Sequence, residues 1–273
     1  MVALKRAVKS ILFGPLVPQA AWVRLHRLAL QGMNIGSAGH PSDSGELWVL
    51  DRALRHAMAA EAPVVFDVGA NVGDYAEAVC ERAGGRVQLH CFEPSAKVFA
   101  KLEQRVGGKP GVTLHRVGLS DAPGEAVLHS SANEAESGMS SLYDRKLDHV
   151  GIRLGQTETI HLTTIDRFCE AHGVERVHFM KLDCEGHELK VLAGGRRMIE
   201  RGAVDMVQFE FGGCNLDSRT YLKDFFDVLT PRYALYRVLR RGVQPLPVYR
   251  EQDEIFTTTN FLAVRPEVAS LLG

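Results

Sequence analysis

Residues 64–79, VVFDVGANVGDYAEAV, decide how the rest of the chain is read. Three apolar residues run into Asp67, a short segment carrying Gly69 and Gly73 follows, and an amphipathic pattern begins at Asp74. That is a buried strand turning into a helix. Glycines there remove side chains where the backbone must bend sharply and where a ligand would come close. The helix behind the bend offers N–H groups that have no partner within it. Asp67 adds a carboxylate to the same crevice.

The acid separates the candidate ligands. A dinucleotide fingerprint reads G-x-G-x-x-G, and its pyrophosphate needs a helix N-terminus free of competing anions. Here the bend reads Gly69-Ala70-Asn71-Val72-Gly73, without the middle glycine and with Asp67 and Asp74 on either side. Two carboxylates suit a cation, and S-adenosylmethionine carries both an ammonium and a sulfonium. A second run, VQLHCFEP, ends in Glu93, twenty residues past Gly73. An acid there can accept hydrogen bonds from both ribose hydroxyls of an adenosine. NAD would use the same acid, so Glu93 indicates a nucleoside without choosing the cofactor. Pro94 stops that strand and starts the next helix. Alone, each feature is a tight turn or a solvated strand end; together they indicate a nucleoside site.

The surrounding pattern alternates. Strand-like runs occur at PVVFDVG, VQLHCFEP, VTLHRVGLS, EAVLHS, TIHLTTI, VHFMKLD, VDMVQFEF, YALYRVL and FLAVRP. Helical patterns separate several of them, at 74–83, 95–106, 166–172, 188–201 and 218–229. The last stacks Tyr221, Leu222, Phe225, Phe226 and Leu229 on one face, as core packing does. Such alternation predicts an α/β fold, a doubly wound and mostly parallel sheet with helices on both faces. ELWVLDRALRHAMA, with Leu47, Leu50 and Leu54 on one stripe, reads as a helix leading into it.

The 273 residues carry a formal net charge of −1, so no global field attracts nucleic acid. Cys80, Cys91, Cys169, Cys184 and Cys214 are odd in number and scattered, which suggests no disulfide framework or zinc site and fits a cytoplasmic protein. No apolar run approaches the ~20 residues that span a bilayer. Residues 1–41 contain no Asp or Glu, while Lys5, Arg6, Lys9, Arg24 and Arg27 are basic. A signal peptide is a poor fit, because Pro15 and Pro18 break the apolar stretch. An N-terminal helical cap over residues 1–59 is the expectation; a helix lying on a membrane surface, with Leu4, Val8, Ile11 and Leu12 among the basic residues, is the alternative. Residues 60–273 form the main domain.

Several motifs in order resemble one family. FDVGANVGDY, CFEP, VGLSD with GEAVLHS, SSL, TTIDRF, FMKLDCEGHELKVLAGG and VQFEF look like the successive motifs of the FkbM-type methyltransferases, over roughly residues 60–230. The resemblance implies a class I methyltransferase fold with a seven-stranded Rossmann-like sheet. It also implies S-adenosylmethionine as cofactor and a hydroxyl of a sugar, glycan or secondary metabolite as acceptor. Carried over by motif, Asp67, Gly69, Asn71 and Gly73 shape the methionine end of the cofactor pocket. Glu93 and Pro94 hold the ribose side, and Gly118, Leu119 and Ser120, ending the third strand, line the adenine, with Ser120 or Asp121 near its amino group. Phe92 packs nearby or belongs to the core.

Methyl transfer to an alcohol needs orientation and a proton acceptor. VHFMKLDCEGHELKVL supplies candidates at the end of the fourth strand. Asp183 is the first choice for contacting the acceptor hydroxyl and His187 the second, since a histidine titrates near neutrality. Glu185 and Glu188 also fit as acids opposing a helix dipole, Gly186 permits a close approach, and Lys181 pairs with a carboxylate. Asp183, Glu210 and Asn215 could hold magnesium, as in catechol-type methyltransferases, but the segment FGGCN separates Asn215 from its strand, so a metal is not favoured. SGMSSL, 137–142, reads as a turn or an acceptor contact, and 143–157 as an acceptor-side loop. An NAD-dependent oxidoreductase, a non-catalytic adenosine-binding protein and a nucleic-acid methyltransferase are the weaker alternatives. A basic N-terminus brings a membrane-linked acceptor within scope.

Overall fold

The structure is a computed structural model that describes residues 17–36, 41–133 and 138–272. Lys5, Arg6, Lys9, the apolar residues among them, Pro15 and Ser137 lie outside the described residues. The opening stretch folds as read. Val64–Val68 is strand β1, buried at every position, and Asp74–Ala83 is helix α3. Gly69 and Gly73 make the turn with φ of +80° and +92°, in the left-handed region where a side chain is strained. A Cβ on Gly69 would lie 1.9 Å from the carbonyl oxygen of Asp183, so the bend rests directly on a neighbouring strand end.

That neighbour belongs to the main sheet. It holds β2 (Gln88–Phe92), β3 (Val112–His115), β7 (Phe179–Leu182), β8 (Met206–Phe211), β9 (Ala234–Leu239), β10 (Gly242–Pro245) and β11 (Thr259–Val264) in the order β10-β9-β11-β8-β7-β1-β2-β3. β3, β2, β1, β7 and β8 run parallel, and β11 is antiparallel to both β8 and β9. The seven-strand class I sheet is therefore present, with β10 added as an eighth strand by a hairpin on β9. Its strands are continuous apolar runs because both faces are covered. Phe66 and Val68 join one core with Phe92, Phe168, Phe209 and Phe225; Val65 joins the other with Leu50, Leu54, Val79 and Leu89.

Four expectations shift. The run VTLHRVGLS is two strands: β3 ends at His115, and β4 (Gly118–Leu119) pairs with β6 (Gln156–Thr163) in a separate sheet of order β4-β6-β5, where β5 is Gly124–Ser130. Gly118, Leu119 and Ser120 thus belong to that small sheet instead of ending the third main strand. The helix expected at 188–201 is two, α6 (Glu188–Gly194) and α7 (Arg196–Glu200), because Gly194 packs against the Ser120 carbonyl too closely for any side chain. The helix expected at 218–229 is α8 (Cys214–Ser218) and α9 (Leu222–Leu229); Tyr221 caps α9 and is 53% exposed instead of joining its buried stripe. In α2 (Glu46–Ala57) the buried stripe is Val49, Leu50, Ala53, Leu54 and Ala57, with Leu47 only half-buried. The other longer α-helices are α1 (Gln19–Gly32), α4 (Ala96–Val106) and α5 (Ile165–His172), and a single helical turn, Pro41–Ser44, precedes α2.

The N-terminal segment joins the domain in two ways. α2 buries its stripe in the core shared with β1 and α3. α1 has no buried residue; the chain is tied down just after it, where Asn34 Nδ2 donates to the carbonyls of Ser44 (2.7 Å) and Val238 (3.1 Å). Among the described residues no helix is long and apolar enough to cross a membrane.

Candidate active site

A cavity of about 500 Å³ opens at the carboxyl ends of β1, β2, β7 and β8, where open α/β sheets bind ligands. Of the residues expected to hold the cofactor, Gly69, Asn71, Glu93, Pro94, Gly118 and Leu119 line it; Asp67, Gly73 and Ser120 stand behind the wall.

At one end the wall is largely backbone. The N–H groups of Gly69 and Ala70 both donate to the Phe92 carbonyl, fixing the bend against β2. Glu93, 7% exposed, accepts from the backbone N–H of Asn71 (3.1 Å) through one oxygen and of Ser95 (2.9 Å) through the other. Burial raises its carboxyl to about 7 against the pull of those hydrogen bonds. Gly73 serves packing: a Cβ there would meet the Leu102 side chain at 2.9 Å. Phe92 is fully buried among Phe66, Phe168 and His115, so it belongs to the core while also touching the cavity.

Beneath the bend several polar atoms lack partners. Both carboxylate oxygens of Asp67, which is fully buried, have no hydrogen-bond partner, nor do Asn71 Oδ1 and the Tyr75 hydroxyl. Burial pushes the Asp67 carboxyl up to about 6, with Lys181 opposing the shift. Orphaned buried acceptors around a glycine bend fit a ligand that brings an ammonium, as S-adenosylmethionine does.

His187 and Ser120 come together on the small-sheet side. His187 Nε2 meets Ser120 Oγ at 2.9 Å and Nδ1 meets the Tyr143 hydroxyl at 3.2 Å. Burial pulls the imidazole down to about 4, so it is neutral at physiological pH with both nitrogens engaged. Ser120 also donates to Asp121, which pairs with Lys190. The loop after β5 closes this side: residues 138–142 line the cavity, Ser141 donates to the Glu185 carbonyl, and Arg145 forms ion pairs with Glu185 and Asp217.

The other end is built from side chains. Lys181, 5% exposed, donates to Asp183 at 2.7 Å, lies 3.8 Å from Glu46, and sits over the Tyr75 ring. Opposing carboxylates raise its ammonium well above the usual lysine range although burial works the other way. Glu46, from the first turn of α2, accepts from Ser44 (2.6 Å) and Gln208 (3.1 Å); Gln208 also donates to Asn260, the β11 partner of Glu210. Glu188 is fully buried and accepts from the N–H groups of Cys184 and Gly186, so it caps its own turn. Glu210 lines the cavity with no hydrogen-bond or ion-pair partner among the described residues.

Of the set considered for magnesium, Asn215 is spent within its own loop: it is fully buried, accepts from Gly212 N–H and donates to Thr220. Among the described residues Glu185, Glu210 and Cys214 do bring ligand atoms within 4.8 Å of one another. Arg145 already occupies Glu185, and burial raises the Cys214 thiol, a soft donor unsuited to magnesium.

Sequence reasoning missed Glu46, Tyr75, Gln208 and Asn260. Glu46 and Gln208 did leave a trace, as polar residues inside patterns that otherwise bury apolar side chains, but nothing local says that they meet.

The profile of a family described as the methyltransferase FkbM domain matches residues 67–238. The chain is 24% identical to the 2-O-methyltransferase NoeI of Sinorhizobium fredii over 190 residues, covering 67% of this chain and 76% of that protein. It is 30% identical over 137 residues to the hexuronic acid methyltransferase AglP of Haloferax volcanii, covering 50% of this chain and 51% of that one. A solved S-adenosylmethionine-dependent O-methyltransferase from Thermotoga maritima aligns over 81% of this chain and 64% of its own, at 10% identity and a TM-score of 0.38.

Proposed function

Since the chain belongs to the FkbM methyltransferase family and is an S-adenosylmethionine-dependent methyltransferase, we propose that it methylates a hydroxyl oxygen of a sugar, glycan or other small molecule. One observation carries the reading. A single cavity joins an end suited to a nucleoside and an ammonium to an acid-lined end with room for a polar acceptor. The names of the two relatives, a 2-O-methyltransferase and a hexuronic acid methyltransferase, agree with a hydroxyl acceptor.

In this reading Glu93 and Pro94 take the ribose side, Gly69 and Asn71 shape the bend around the methionine, and Asp67 supplies negative charge behind it. Gly73 keeps the bend seated on α4. Gly118 and Leu119 face the adenine, and the Ser120–His187–Tyr143 cluster stiffens that wall, so His187 acts as a positioning residue. When bound, S-adenosylmethionine supplies the electrophile: the acceptor oxygen bonds the methyl carbon as the carbon–sulfur pair returns to sulfur. Asp183, paired with Lys181, accepts a hydrogen bond from the acceptor hydroxyl and fixes its approach. No step uses a divalent ion.

Residues 1–59 serve this domain, 60–273, as an appended cap. α2 closes the acceptor end through Glu46, and exposed α1, with Arg24 and Arg27, rests on an anionic membrane surface on the cytoplasmic side. Flotation with anionic and neutral vesicles tests that part; failure to float with either ends it and leaves the enzymatic reading intact.

The central test combines calorimetry with S-adenosylhomocysteine and transfer of labelled methyl groups to methyl glycosides of neutral, deoxy and uronic sugars. Binding, with label recovered as a methyl ether, is expected. No binding at millimolar ligand, or label recovered only on nitrogen or carbon, would overturn it.

A further inference from the structure

We propose that Glu210 takes the proton from the acceptor hydroxyl; the proposal rests on the hydroxyl-acceptor reading above. An alcohol becomes a competent nucleophile when a nearby group removes its proton during transfer. The O–H bond breaks, its electron pair stays on oxygen for the new bond to carbon, and the proton goes to a carboxylate oxygen of Glu210. From there it passes to solvent through the open cavity.

Every other carboxylate and histidine around the acceptor end is already committed, and the Tyr75 phenol, though it has no partner, is kept protonated by burial. Asp183 is paired with Lys181 at 2.7 Å, and Glu185 is paired with Arg145. Glu46 receives hydrogen bonds on both oxygens, from Ser44 and Gln208. Glu188 is fully buried and caps its own turn, and it does not line the cavity. His187 has both ring nitrogens engaged. Glu210 lines the cavity from the end of β8 without a partner. Lys181 pairs in register with Gln208 and Leu182 with Phe209, so the chain leaves β7 at Asp183 beside Glu210. An acceptor hydroxyl bonded to Asp183 is therefore within the neighbourhood of the one cavity-lining carboxylate, among the described residues, that is free to receive its proton.

The electrostatics point the same way. Facing Glu210 are Asp183, Glu185 and Glu188 from the β7–α6 turn, Cys214 from α8 and Lys181 from β7, with the neutral Asn260 opposite on β11. Burial first and then the three acids hold the Glu210 carboxyl well above the usual carboxylate range, with Lys181 opposing. A raised carboxyl holds a proton better, as a base for an alcohol must.

The test compares wild type, Glu210→Gln and Asp183→Asn with whichever methyl glycoside the wild type methylates. Glu210→Gln is expected to bind S-adenosylhomocysteine within about threefold of wild type and to lose on the order of 10²–10⁴ in kcat. It should also lose the acid limb of the kcat–pH profile. Asp183→Asn should keep that limb and raise KM. A Glu210→Gln enzyme that keeps wild-type kcat, or keeps the acid limb, overturns the proposal. A second measurement needs no acceptor and no variant activity: carboxyl ¹³C NMR with labelled glutamate, in the S-adenosylhomocysteine complex, with Glu210→Asp as a second assignment variant should Glu210→Gln fail to fold. Titration of Glu210 above the ordinary glutamate range supports the role, and titration at or below about 4.5 overturns it. A wild type that methylates no hydroxyl fails the acceptor reading instead, which separates the two failures.

Discussion

The two ends of the cavity are made differently. At the end proposed for the cofactor the wall is a glycine bend and a strand-end carboxylate, with the backbone N–H groups of the bend spent on Phe92 and Glu93, all within about thirty residues of chain. At the other end Glu46, Lys181, Gln208 and Asn260 arrive on four separate elements and are linked through ion pairs and hydrogen bonds, with Glu210 beside them and unpaired among the described residues. A site of the first kind is rigid because the backbone has no alternative shape there. A site of the second kind is rigid only while every charge keeps its partner. Damage to the first should therefore appear in folding and cofactor affinity, and damage to the second in turnover, in the acceptor's KM, and in stability where a counter-ion is lost.

The largest expected effect breaks the bend. Gly69→Ala must place a methyl 1.9 Å from the Asp183 carbonyl oxygen at a positive φ. It should cost ~3 kcal/mol or more and abolish S-adenosylhomocysteine binding, read by thermal unfolding and calorimetry. Next is the loss of a counter-ion. Lys181→Met strips Asp183, Glu46 and Asp67 of their cation and should cost ~2–4 kcal/mol, toward the lower end because Asp183 is partly exposed. Cofactor affinity should fall far less than turnover; an equal fall in both would erase the distinction between the ends.

Glu93→Ala should weaken S-adenosylhomocysteine binding by ~10–100-fold, as expected for losing hydrogen bonds to a charged group, while the protein stays folded. A smaller effect follows pH. The Asp67 carboxyl sits at about 6 in the fold against an ordinary 3.8, so it is the folded state that holds the extra proton between those values. Its contribution makes the free protein less stable as pH rises through about 4 to 6, and Asp67→Asn removes that slope. Affinity for a ligand bearing an ammonium should rise by up to ~10-fold from pH 5 to pH 7 and flatten in the same variant. Smallest of all, Leu25→Asp with Leu28→Asp on exposed α1 should shift stability by less than ~0.5 kcal/mol and leave both ends unchanged. A change in either activity would tie α1 to the site.

How much was readable follows from the same contrast. The strand, bend and helix at 64–83 and the acid at Glu93 announce themselves because strand, turn and helix each impose a local period. The splitting of VTLHRVGLS did not show, since both halves satisfy a strand pattern and only pairing with β6 assigns Gly118 and Leu119 to another sheet. Asn215, which the segment FGGCN already set apart from the strand-end acids, has its amide used up on Gly212 and Thr220, a commitment no local pattern shows. His187, the second candidate for contacting the acceptor hydroxyl, has both ring nitrogens engaged by Ser120 and Tyr143, which no local pattern shows.

The sequence by itself determined the layered α/β architecture, the family and the glycine bend with its strand-end acid, because periodicity and glycine conformation act over short stretches of chain. Only the tertiary structure decided which carboxylates carry a counter-ion and which does not. Charge pairing depends on distances of a few ångströms between residues far apart along the chain, such as Glu46 and Lys181 or Arg145 and Glu185, and no local pattern encodes those distances.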